Sequence, residues 1–107
     1  MAVFDLYGIS VPDLDGARVK VERALGIRFV PHSSDYIGDY YRYDGAGKEV
    51  ITLQTNYDEY ERAWTEERFQ DATILLYVND TGRAQQLEES IKRLVPEAQL
   101  LRREFFD

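Results

Sequence analysis

Four consecutive residues, His32, Ser33, Ser34 and Asp35, are where the chain gathers the residue types of a nucleophilic triad. A triad needs base, nucleophile and orienting carboxylate to converge from separated elements, whereas neighbours in a chain point in different directions. The spacing therefore predicts an exposed or hydrogen-bonded loop histidine. His32 is the sole histidine and there is no cysteine, which leaves a zinc site without its usual ligands. Adjacent carboxylates recur at Asp58/Glu59, Glu66/Glu67 and Glu88/Glu89. Acid–base chemistry requires two carboxylates whose surroundings drive their pKa values apart, and stretches this polar predict a solvated face instead. None of the seven glycines builds a dinucleotide fingerprint or a phosphate loop. The acidic run also lacks the alternating ligands and central glycine of a calcium loop. No catalytic residue, metal site or cofactor is expected.

What remains is charge. The chain of 107 residues carries a net −7. Residues 56–71, NYDEYERAWTEERFQD, hold six carboxylates against Arg62 and Arg68, a balance of −4. Tyr57, Tyr60, Trp64 and Phe69 are threaded through them. Nucleic acid and anionic membrane surfaces demand basic residues, so neither is an expected partner. The favoured partners are cations, basic small molecules or basic proteins. Tyrosine, tryptophan and arginine dominate interface hot spots, since each joins a large apolar area to a polar tip. Tyr36, Tyr40, Tyr41, Tyr43, Tyr57 and Tyr60 fall in the middle third beside Asp35, Asp39, Asp44, Asp58 and Glu59. Alternation places about half of these tyrosines in a hairpin core, and the rest are left to meet a partner.

The elements that must position these residues are legible in order. Residues 2–10 read as a strand. Asp13 is a helix N-cap with Asp15 in the first turn, and Leu14, Ala17, Val21, Ala24 and Leu25 form one apolar face up to Gly26. A short strand at 27–32 follows. A hairpin at 39–44 and 48–55 turns around Gly45 and Gly47, both expected at positive φ. The apolar run 72–78 reads as a central strand covered on both faces. Asn79-Asp80-Thr81 caps a second helix with the stripe Ala84, Leu87, Ile91 and Leu94, and the i,i+4 pairs Glu88/Lys92 and Glu89/Arg93. Pro96 ends it before a last strand at 99–106. The order β-α-β-β-β-β-α-β predicts one α+β domain over residues 1–107. Two helices pack on one face of a mostly antiparallel sheet in a ferredoxin-like layout, leaving the other face or the edges to bind. Asp5 interrupts the opening apolar run, and no stretch reaches the roughly 18 apolar residues of a membrane span. A reducing, cytoplasmic compartment is the expectation.

Two resemblances extend this reading. Through V-P-D-L, A-R-V-K-V-E-R-A-L-G-I and I-T-L-Q, the first 55 residues resemble one βαβββ module of the vicinal-oxygen-chelate (glyoxalase and bleomycin-resistance) families. That resemblance implies a small-ligand module or enzyme. Its metal would be held by a His or Gln near the first strand and a Glu on the module's last strand. The corresponding positions here hold Phe4, Asp5, Leu6 and Gln54, and a homodimer would be needed to complete the paired module. Through GISVPDLDGAR, YIGDYYRY, ITLQTNYDE, ILLYVND and LLRREFF, most of the chain is similar to the small acidic immunity proteins that accompany contact-dependent-inhibition and other polymorphic toxins of bacteria. This resemblance implies a cognate toxin domain, often a basic nuclease, bound tightly over or beside its active site. The surface expected to bind it comprises Asp35, Asp39, Tyr40, Tyr57, Asp58, Glu59, Tyr60, Glu61, Trp64, Glu66 and Glu67. Carboxylates would steer the partner in, and aromatics would slow its release.

Overall fold

Asp13 starts the first helix as its chemistry requires. Its backbone is extended, and its carboxylate accepts from the Gly16 N–H at 2.5 Å. Helix α1 (Leu14–Leu25) ends at Gly26, whose φ of +66° turns the chain left-handed while its N–H donates to the Glu22 carbonyl at 2.9 Å. Ala17, Val21 and Ala24 are the buried residues of α1. The computed structural model describes residues 2–35 and 38–107.

Strand β1 (Ala2–Ile9) precedes α1, and β2 (Val30–Ser34), β3 (Gly38–Asp44) and β4 (Val50–Thr55) follow as a meander. The acidic connection then carries two short strands, β5 (Tyr57–Asp58) and β6 (Ala63–Trp64), and a 3-10 turn at Glu67–Phe69. Strand β7 (Ile74–Thr81), helix α2 (Ala84–Leu94) and strand β8 (Ala98–Phe106) complete the chain. The six long strands form one sheet in the order β2-β3-β4-β7-β1-β8, with every neighbouring pair antiparallel. Strands β8, β1, β7 and β4 interleave as a split βαβ pair, and β3 and β2 widen the sheet beyond them. This is the α+β architecture expected from the order of elements.

Both helices lie on one face and pack on each other. Between them and the sheet sit Tyr7, Ile9, Val21, Ile51, Leu53, Leu76, Val78, Leu87 and Ile91. Leu75 points the other way and joins Leu6, Ala72, Phe69, Tyr77 and Leu101 in a second cluster. Strand β7 is thus covered on both faces, which explains its unbroken apolar run. Each fully buried aliphatic side chain contributes roughly 1.5–3 kcal/mol. The second cluster exists because the acidic connection folds back over the helix-free face, so that face is only partly open.

Four local expectations are corrected. Strand β2 begins at Val30 rather than Ile27, because the Glu22 carboxylate accepts the Phe29 N–H at 2.8 Å and holds residues 27–29 against α1. Only Gly47 of the β3–β4 turn has positive φ. Gly45 is required for space, since a Cβ there would lie 2.3 Å from Glu49 Oε1. Helix α2 has Arg83, not Asn79-Asp80-Thr81, at its N-cap, because β7 runs on to Thr81 through a bulge that sets Asp80 at φ +54°. Finally, Leu94 of the α2 stripe is 47% exposed.

Candidate acidic hairpin interface

Asn56 organises the connection. It is fully buried, and its side-chain amide donates to the carbonyls of Phe69 and Ala72, both at 2.9 Å. Its side-chain oxygen accepts from the Glu66 N–H at 2.9 Å. Its own backbone pairs with Thr73 and Thr65. One asparagine therefore ties together five points of an otherwise polar loop, and buried polar groups without partners are costly enough to make this a strong constraint. The sequence alone does not mark Asn56 for this role. The only signal was an Asn at the junction of a strand and a charged stretch.

A second tether crosses to the sheet. Glu66 accepts from the Tyr77 hydroxyl at 2.5 Å and lies 3.3 Å from Arg102 Nη1. Burial first, then the Glu66 carboxylate, pushes the Tyr77 hydroxyl above the ordinary tyrosine range. Glu66 is therefore engaged inside the molecule, whereas it was expected on the binding surface.

Above these tethers stands the β5–β6 hairpin. Tyr57 and Trp64 face each other across it, with ring centroids 5.0 Å apart and planes at 67°, a favourable edge-to-face contact. Asp58 accepts from the N–H groups of Tyr60 and Glu61 at 2.9 and 3.2 Å, so it closes the turn, and Arg62 completes it at φ +54°. What this leaves outside is Glu59, Tyr60 and Glu61, with Tyr60 89% exposed. Trp64 is half-buried, and Glu67 is exposed in the 3-10 turn.

The remaining expected residues lie on the β2–β3 hairpin. Asp35 and Asp39 are exposed, and Tyr40 is half-buried with its ring stacked on His32 at 5.4 Å and 23°. Tyr41 and Tyr43 turn to the helix-side core, as alternation predicted. Tyr36 lies outside the described residues. Continuing the β3–β4 register two residues beyond Tyr41↔Leu53 sets Asp39 level with Thr55, the residue that leads into the connection. Both acidic groups thus rise from the same end of the sheet, where α1 also begins. A groove of about 580 Å³ between α1 and the β2–β3 hairpin is lined by Asp13, Asp15, Asp39, His32, Tyr40 and Tyr41 among others. The Tyr41 hydroxyl donates to Asp15 across it.

The positions matching the vicinal-oxygen-chelate ligands do not converge. Asp5 faces the helices, where Arg103 grips it with two 2.8 Å hydrogen bonds while also reaching Glu88 at 2.9 Å. Gln54 pairs with Leu75 and faces the other side of the sheet. Strand β7 also separates β1 from β4, so the first 55 residues do not form a continuous sheet of their own. Among the described residues, no three His, Cys, Asp or Glu side chains are grouped to hold a metal, and no helix is long and apolar enough to cross a membrane. No protein-family model matches the chain, and no curated protein and no solved structure matches it significantly.

Proposed function

We propose that this chain is an immunity-type inhibitor that binds and neutralises a basic toxin domain in the cytoplasm, with the β5–β6 hairpin as its main binding element. The observation that carries this reading is Tyr60, 89% exposed between the exposed carboxylates of Glu59 and Glu61, on a hairpin anchored by a fully buried asparagine. Tyrosine joins a large apolar area to a polar tip and is enriched among the residues that carry binding energy at interfaces. Anchoring the hairpin beforehand lowers the ordering cost of binding. The net charge of −7 steers a basic partner and raises the association rate, while the aromatics slow dissociation. On a nuclease, the carboxylates would occupy positions that otherwise take phosphates.

The test co-expresses the chain with the basic domain encoded by the neighbouring reading frame, in cells that this domain alone stops growing. Restored growth and an equimolar complex on co-purification are expected. Undiminished toxicity beside the wild-type chain would overturn the reading.

A further inference from the structure

At the opposite end of the sheet from the acidic hairpin, a concavity of about 760 Å³ opens between the start of β1, the β3–β4 turn, the β7–α2 junction and the end of β8. That volume falls within the range of small-molecule sites. Three features of its lining point to a ligand.

The first is an aromatic wall. Phe4 and Phe106 meet edge to face at 5.1 Å and 85°, and Phe106 remains 52% exposed. The second is backbone shape. Val3 pairs with Thr81 and Asp5 with Val78, so two β7 residues oppose one β1 residue, and Asp80 in this bulge adopts φ +54°. Bulges and strained non-glycine residues gather beside functional sites, where they re-aim side chains. A Cβ added to the neighbouring Gly82 would meet nothing within 4 Å. The third is charge. Lys48 and Asp80 both line the concavity, yet among the described residues neither has an ion-pair or side-chain hydrogen-bond partner. Glu104, by contrast, is occupied by Arg102 at 3.3 Å. Lys48 lies in the β3–β4 turn two residues before Val50, and Asp80 directly follows Asn79, the β7 partner of Val50.

Lys48 as the one unpaired cation among the described residues of the lining, the unpaired carboxylates of Asp80 and, at the rim, Asp107, and an aromatic wall match a ligand carrying both charges and a ring. A simple amine would leave Lys48 unused, a simple carboxylate would leave Asp80 unused, and a polyphosphate would need more than one cation. We propose that the concavity binds a free α-amino acid with an aromatic side chain. Its ammonium pairs with Asp80, its carboxylate with Lys48, and its ring rests on Phe4 and Phe106. The site is independent of the hairpin and does not rest on the toxin-binding reading.

The experiment titrates the full chain, followed by amide-resolved NMR, with L-phenylalanine, phenethylamine and hydrocinnamate. Saturable shifts with L-phenylalanine, centred on Phe4, Gly82 and Phe106, are expected, and each truncated analogue should bind at least about tenfold more weakly. Lys48→Gln should abolish the preference over phenethylamine, and Asp80→Asn the preference over hydrocinnamate. Asparagine tolerates positive φ, so the bulge survives that change. The proposal is overturned by an absence of saturable shifts up to about 10 mM ligand, by shifts centred elsewhere, or by analogues that match the amino acid.

Discussion

The Tyr77 hydroxyl meets Glu66 Oε2 at 2.5 Å on the sheet face that carries no helix. This contact binds the acidic connection to the central strand, so charge at Glu66 serves the fold before it can serve a partner. Tyr77→Phe should lower stability by about 1.5–3 kcal/mol, the range for a hydrogen bond to a charged group. Denaturant unfolding measures it, and a loss under about 0.5 kcal/mol would remove the tethering role.

Asn56→Ala strips three side-chain hydrogen bonds and leaves the Phe69 and Ala72 carbonyls and the Glu66 N–H without that partner. The expected cost is about 2–4 kcal/mol, together with faster proteolysis within residues 57–71. Wild-type resistance to protease in the variant would show that the sheet contacts alone hold the connection.

Glu49 is 5% exposed and takes hydrogen bonds from Arg83 at 2.7 and 3.0 Å and from the Thr81 hydroxyl at 2.6 Å. Arg83 holds its carboxyl below the usual glutamate value of 4.5 against the opposing effect of burial. The folded state therefore binds fewer protons here than the unfolded chain. This contribution to stability is complete above the usual value and disappears as pH falls through the lower folded one. Glu49→Gln should cost about 1–3 kcal/mol at neutral pH and flatten the decline towards pH of about 4. Unfolding curves at both pH values decide it, and an equally steep decline in the variant would assign the acid sensitivity elsewhere.

At the hairpin tip, Glu59→Lys with Glu61→Lys should leave the unfolding midpoint within about 0.5 kcal/mol of wild type. Association with the basic partner should slow by at least about tenfold at low salt. Stopped-flow association at two ionic strengths measures both the loss and its screening. A wild-type rate insensitive to salt would sink the steering mechanism. A fast, salt-sensitive double variant would move the contact to Asp35 and Asp39.

Local chemistry was readable wherever one residue decides the outcome. Asp13 and Gly26 frame α1, alternation sorts Tyr41 and Tyr43 from Tyr40, and the apolar run of β7 announces two covered faces. Misreadings arose where a distant partner intervenes. Thr81 looks like a helix cap, but it is the last residue of β7: its hydroxyl donates to Glu49, thirty-two residues earlier, and accepts from the N–H of Arg83, which takes the cap position itself. Phe29 looks like strand, but its N–H is held by Glu22. The acidic stretch was readable as a surface, yet not the division of labour within it. Glu66 and Asp58 shape the loop while Glu59 and Glu61 face water, and no charge count separates those roles.

The sheet order has a consequence for how the protein comes into being. Among the described residues, strand β1 pairs only with β7 and β8, so it waits for two strands far along the sequence before it has any neighbour. Helix α1 and the β2–β3–β4 meander can form early, but the core between them stays open until β7, α2 and β8 have been made. Such long-range closure is slow and keeps apolar strands exposed meanwhile. During synthesis the sheet therefore stays unfinished until β7 and β8 have emerged to flank β1.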